Sequence, residues 1–277
     1  MNVFSIVSTK IRIVIAGILT LSPALGLAQK IGDMLISPTR ISLDEKARGG
    51  TIVVVNSSPN TVRYRLNLVD MTMSPDGVLK KTTEPTRNSA LQYLRFSPKE
   101  ITLSPGTSQK IRILSVIPIS FPDGEIRSHL EFEPLARPTT AKPTEPGQNV
   151  FSTSVSVRLV VTIPIIVRTG NVFAAAALSD GSIEQKGSAV KFSIHREGNT
   201  SVRGDIYVNF KPAIGGKSIL VGQSKGVAVY FPNPTRSMVI ALQKSLSTLG
   251  AGDVEIQFVE SNKRKNAASK LLVIHNR

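Results

Sequence analysis

The feature that most narrows the fold is an alternation of apolar and polar residues, period two, that recurs along nearly the whole chain. Val62-Arg63-Tyr64-Arg65-Leu66-Asn67-Leu68 alternates without a break. Ile111-Arg112-Ile113, Val190-Lys191-Phe192-Ser193-Ile194, Ile206-Tyr207-Val208-Asn209-Phe210 and Val254-Glu255-Ile256-Gln257-Phe258 repeat the pattern. A strand turns successive side chains to opposite faces, so each run has one core face and one wet face. Asp76-Gly77, Ser104-Pro105-Gly106, Asp123-Gly124 and Asp180-Gly181 stand between runs as turn signals, because Gly after Asp supplies the positive φ of a tight turn. No segment sustains a 3.6-residue period with caps, and 17 Pro and 20 Gly oppose long helices. The expectation is an all-β chain of antiparallel sandwiches. A length of 277 residues suggests two of them.

With 41% apolar and 19% charged residues the chain can fill packed cores. It has no Cys, which excludes a disulfide framework, a Cys-based zinc site and a thiol nucleophile. The first 28 residues read as a secretory signal peptide. Lys10 and Arg12 close a basic region, Ile13 to Leu21 is apolar, and Gly26 and Ala28 are the small residues of a cleavage site after Ala28. The apolar run is shorter than the roughly 20 residues of a spanning helix, and no later stretch is long and apolar enough to cross a membrane. The expectation is export with cleavage, which lowers the formal charge from +15 to +13 by removing two cations. Such a charge favours acidic partners or anionic surfaces without choosing between them.

Ala136 to Gln148 is Pro-rich and reads as an exposed loop. The longest strand is expected after it, from about Asn149 to Val167. Arg168-Thr169-Gly170-Asn171 ends the pattern and marks a boundary between domains of residues 29–168 and 169–277.

Motifs for chemistry are weak. Gly222-Gln223-Ser224-Lys225-Gly226 fits the G-x-S-x-G elbow of hydrolases, but the strand-like Val227-Ala228-Val229-Tyr230-Phe231 follows where that elbow needs a helix. It reads as a loop between strands. Ala213-Ile214-Gly215-Gly216-Lys217-Ser218 looks like the end of a phosphate-binding loop, but Lys211 stands where the first Gly belongs, so it reads as a turn. His129, His195 and His275 are far apart, each in a strand-like run, and a multi-His metal site would need all three. Lys263-Arg264-Lys265 is basic, but none of the 14 aromatics interleaves with it, so nucleic-acid binding lacks support. Neither a catalytic residue, a metal site nor a cofactor is implied.

The long strand carries more information. Val155, Val157, Leu159, Val161, Ile163 and Ile165 share one face, opposite Ser154, Ser156 and Arg158. Such a strand can belong to the chain's own core, or it can add itself to another protein's open sheet, where main-chain bonds give affinity and alternate side chains fill pockets.

An ordered set of short segments resembles the PapD-like periplasmic pilus (fimbrial) assembly chaperones. It comprises Ile36-Ser37-Pro38-Thr39-Arg40-Ile41, Leu94-Arg95-Phe96-Ser97-Pro98, Leu103-Ser104-Pro105-Gly106 with Gln109-Lys110-Ile111-Arg112, Gly124-Glu125-Ile126-Arg127-Ser128-His129-Leu130 and Pro164-Ile165-Ile166-Val167-Arg168. The second half is similar more loosely, through Arg196 to Asp205. The resemblance implies two immunoglobulin-like β-sandwich domains in an L, located in the periplasm. Such a non-enzymatic chaperone lends its long strand to a pilus subunit that lacks its own last strand, then delivers it to an outer-membrane usher.

On that resemblance Val155, Val157, Leu159 and Val161 fill the subunit's groove, with Val150 and Phe151 at the leading end. Arg40 matches the first member of a basic pair that anchors the subunit's terminal carboxylate, a role suited to a guanidinium fork. The usual second member, a lysine, is replaced by Pro164, which cannot donate. Arg158, Arg40 alone, or a different mode of binding then remain open. Arg168 matches an arginine that ties the domains together through acidic partners. The free edge is also open to a second copy of the chain. The competing expectation is an exported structural or adhesive immunoglobulin-like protein without a client.

Overall fold

A computed structural model describes residues 29–31, 34–118, 120–135, 159–261 and 270–276. The first half contains β1 (Gln29–Ile31), β2 (Met34–Ser37), β3 (Ile41–Leu43), β4 (Gly49–Asn56), β5 (Val62–Val69), β6 (Met71–Met73), β7 (Leu79–Lys81), β8 (Leu94–Ser97), β9 (Glu100–Leu103), β10 (Ser108–Ser115), β11 (Gly124–Pro134) and β12 (Val161–Thr169). The second contains β13 (Ala174–Glu184), β14 (Ala189–Gly198), β15 (Val202–Pro212), β16 (Ile219–Val229), β17 (Thr235–Ala241), β18 (Gly252–Glu260) and β19 (Lys270–Asn276). The described helical content is one four-residue α-helix, Leu246–Leu249, and two 3-10 turns. Each alternating run named from sequence lies in a strand, and its apolar members are buried or nearly so.

In the first half the sheet β1-β2-β4-β10-β8 packs on the sheet β3-β12-β11-β5-β9. Ile36, Ile52, Val54 and Ile111 from one sheet meet Leu66, Leu130, Phe132 and Ile163 from the other in a single core. In the second half β13-β14-β17 packs on β16-β15-β18-β19, around Phe192, Phe210 and Phe258. The chain is therefore all-β, with two sandwiches. Among the described residues no strand of one half pairs with a strand of the other. The halves meet instead through Met73, Ile166, Ala228 and Tyr230. Asn88 donates to the Phe231 carbonyl at 3.0 Å, and Asn233 to the Met73 carbonyl at 2.7 Å.

Two local expectations are corrected. Asp180-Gly181 is not a turn between strands. It is a bulge inside β13, where the register shifts between Ser179 and Ser182 and Asp180 takes a φ of 55°. Gly222 to Gly226 is not a loop either, since it lies within β16. There Lys225 and Gly226 stand opposite the single residue Asp205, whose carboxylate accepts the Gly226 N–H at 2.8 Å. Each signal marks a bulge, with the positive φ on Asp180 in one and on Gly226 in the other, and a one-dimensional pattern does not separate this from a turn. Residues 1–28, Lys263-Arg264-Lys265, the Pro-rich stretch 136–148 and the first part of the expected long strand, through Arg158, lie outside the described residues.

Candidate functional site at the domain junction

β12 runs antiparallel to β11 along Val161–Thr169, but β3 covers its other side only at Ile165, Ile166 and Val167. Among the described residues, no strand pairs with that side over Val161 to Pro164. Pro164, which removes one ladder donor, falls in this half-paired stretch. Just upstream, Leu159 is 53% exposed and Val160 47% exposed. Val161, Ile163, Ile165 and Val167 face the chain's own core. The opposite face of β12 presents Pro164, Ile166 and Arg168.

The register carries this outer face onto β11. Glu125 stands opposite Arg168, Arg127 opposite Ile166, and His129 opposite Pro164. Arg40 immediately precedes β3, and the pairing of Ile41 with Ile165 sets it level with Pro164, one residue back along both strands. Period two thus gathers Arg40, Arg127, His129, Glu125 and Arg168 on one outer face. A second-half residue, Tyr230, packs on the same face. Its ring lies 4.0 Å from the Arg127 guanidinium and 6.4 Å, edge to face, from the His129 ring.

Burial sets the electrostatics. Glu125 has a fully buried side chain and receives Arg168 Nε at 3.1 Å and Nη2 at 3.0 Å. It also accepts the Ser201 N–H at 3.1 Å and the Ser201 hydroxyl. Ser201 belongs to the second half, and its oxygen accepts the Phe231 N–H at 2.9 Å. Asp70 accepts the Thr86 N–H at 2.9 Å and the Ser128 hydroxyl at 2.5 Å. Neither buried carboxylate bonds to Arg40 or Arg127. Arg127 donates Nη2 to the Met71 carbonyl at 3.2 Å. Its Nη1, the Arg40 Nη1 and both ring nitrogens of His129 are buried without a hydrogen-bond partner.

Burial pulls the Arg40 guanidinium below its ordinary range. Tyr230 and Glu125 oppose that shift, and Arg168 and Arg203 add to it. Burial lowers Arg127 too, against Tyr230 and Glu125 and in concert with Arg40. His129 is pulled to about 3, first by burial and then by Arg127.

The residues singled out from sequence fall in different places. Arg40 sits in the junction, and Arg168 ties the halves together. Its acidic partner, unassigned from sequence, is Glu125. Leu159 lies exposed at the head of β12, whereas Val161 is packed inside the sandwich. Val150, Phe151, Val155, Val157 and Arg158 lie outside the described residues. Sequence reasoning gave no role to Arg127 or Tyr230. The available signal was the charged row Glu125, Arg127, His129 on a strand whose other face is apolar. Ser224 lies in β16, without the strand-to-helix turn of a nucleophile elbow. His195 contacts the Ser179 hydroxyl at 2.6 Å and Thr235 at 3.2 Å, and His275 contacts Asp253 at 2.7 Å. The three His therefore sit apart.

No protein-family model and no curated protein matches the chain. Solved structures do. The class 5 fimbriae chaperone CfaA is 16% identical, with 88% of this chain and 99% of that chain covered at a TM-score of 0.43. The CsuC-CsuE chaperone–tip adhesion subunit pre-assembly complex of Acinetobacter baumannii gives 13% identity, 87% and 97% coverage, and a TM-score of 0.46. The YadV chaperone gives 11%, 88% and 100%, and 0.44.

Proposed function

We propose that the chain is a periplasmic chaperone of pilus or surface-fibre subunits, which it captures by lending them β12 and the residues just before it. The observation that carries this reading is a strand left half-paired over Val161–Pro164, beside a junction rich in buried arginine. A subunit missing one strand exposes a groove and unpaired main-chain groups, an aggregation hazard. A lent strand covers both. Val155, Val157 and Leu159 enter the groove, and Val161 marks where that apolar row passes into the chaperone's own core. Three or four aliphatic side chains at about 25 cal/mol per Å² of buried apolar area stabilise such a complex by several kcal/mol.

Arg40 anchors the subunit's terminal carboxylate and sets the register of the lent strand. Release is an exchange of strands at the outer-membrane usher, where the next subunit supplies a better-fitting donor, and no ATP is needed. Without a client the same edge can pair with a second copy.

The test is co-purification from periplasm with mass spectrometry. The expected partner is a small β-rich protein in 1:1 ratio. Arg40→Ala should abolish its recovery while leaving the fold intact, and glutamate at Val157 and Leu159 should block capture. Full recovery with both glutamates in place would end the strand-lending reading, and full recovery with Arg40→Ala would remove the anchor.

A further inference from the structure

We propose that the outer face of the sheet β1-β2-β4-β10-β8 docks on an anionic phospholipid surface, with phosphate at Arg95 and Arg112 and the apolar part of the lipid against Leu114. The proposal stands apart from strand lending, because β12 lies in the other sheet and docking by this face leaves its half-paired stretch uncovered.

Register builds the face. Along β10, Ile111 and Ile113 are buried, and Lys110, Arg112 and Leu114 point outward and are exposed. Leu114 stands between Gly49 of β4 and Arg95 of β8, and Arg112 stands between Thr51 and Ser97. Lys110 stands opposite Val53. Gly49 brings no side chain to its row, and a depression of about 630 Å³ lies there, lined by Gly49, Thr51, Arg95, Arg112 and Leu114.

The charges on this face have one sign. The five strands of the sheet contain no Asp or Glu. Elsewhere in the same sandwich cations are met by carboxylates, as Arg65 is by Glu100, Lys81 by Glu131 and Arg168 by Glu125. Acids in the segments next to this sheet are engaged too. Asp44 accepts the N–H groups of Lys46 and Ala47, and Glu45 accepts that of Gly170. Among the described residues Lys110 and Arg112 have no carboxylate partner. Arg95 is fixed by Nη1, which donates to the Gln92 and Leu94 carbonyls at 2.9 Å each and leaves Nε and Nη2 for a ligand.

Apolar side chains share these rows. Leu114 is 49% exposed, and Val116, the next outward residue, is 40% exposed. Free phosphate would use the guanidiniums and leave both apolar chains in water. A phospholipid carries an anionic phosphodiester and alkyl chains on one molecule. Guanidiniums fork onto the phosphate oxygens, while Leu114, Val116 and the aliphatic stems of the cations enter the boundary of headgroup and acyl chain. An acidic protein surface supplies the charge but sets carboxylates against Leu114 and Val116, where they lose hydration.

The experiment is co-sedimentation of the full exported chain with vesicles of phosphatidylcholine alone, and of phosphatidylcholine mixed in equal parts with phosphatidylglycerol. Binding to the mixed vesicles only, weakened by salt, is expected. Arg95→Gln with Arg112→Gln should weaken it about twentyfold, roughly fivefold for each cation. Leu114→Ser should weaken it about threefold at unchanged charge. Arg63→Gln with Lys191→Gln removes the same charge from other faces and should change binding by less than about twofold. If that control pair weakens binding as much as the arginine pair does, overall charge and not this face is responsible, and the proposal falls. Inorganic phosphate at matched ionic strength should not displace the chain, and full displacement would make this a site for a free anion. No binding to the mixed vesicles overturns the proposal and leaves an acidic protein as the occupant.

Discussion

His129 shows how burial determines the chemistry of a single side chain. Its ring is fully buried, edge to face with Tyr230, and its pKa is pulled to about 3. In the unfolded chain the same group titrates near 6.5. Between these values the unfolded state binds the proton and the folded state does not. Stability is therefore complete above about pH 6.5 and falls as pH drops toward 3, by up to about 1.4 kcal/mol per pH unit from this group. His129→Gln should flatten that slope. Urea midpoints at pH 7, 5.5 and 4.5, compared between the two proteins, measure it, and parallel slopes would contradict the assignment. Arg196 makes the opposite use of burial. It donates to the carbonyls of Asn233, Gly198, Thr200 and Pro232 and so knits the loops at one end of the second sandwich.

At the level of elements, β12 joins two unlike segments. Val161 is 7% exposed and Leu159 53% exposed, two residues apart in one apolar row. Val161→Ala should destabilise the protein by about 2 kcal/mol, the cost of a lost core side chain. Leu159→Glu should change stability by less than about 0.5 kcal/mol and yet prevent subunit capture. Chemical denaturation and co-purification on the same pair of variants separate the two effects. The bulge in β16 makes a second test. Gly226 holds a φ of 69°, and an added Cβ would lie 3.1 Å from Arg203 Nη2. Gly226→Ala should cost about 1–2 kcal/mol in thermal unfolding, because a side chain is strained at that φ.

For the molecule as a whole, Glu125 is the joint. It holds Arg168 of the neighbouring strand and Ser201 of the second sandwich with the same carboxylate. Glu125→Ala strands a partly buried guanidinium and should cost about 3–5 kcal/mol. It also removes a negative charge that supports Arg40 and Arg127. Calorimetry should show the two sandwiches unfolding together in the wild type and separately in the variant. A single unchanged transition would mean that the apolar contact of Ile166 with Tyr230 couples them without the carboxylate.

Strand identity and sandwich class were legible in the residues, because alternation is a local property and side-chain direction follows from it alone. Arg40 was found by resemblance, and Arg168 with it, but neither came with its surroundings. Glycine signals at Asp180-Gly181 and at Gly226 told of positive φ without telling turn from bulge. What only the folded molecule decided is the company each charge keeps. Register sets Glu125 against Arg168 and leaves Arg127 without a carboxylate partner. The packing of Tyr230 from the other half buries a strand face that its own domain leaves outside. Those are contacts between residues distant in the chain, and periodicity does not encode them.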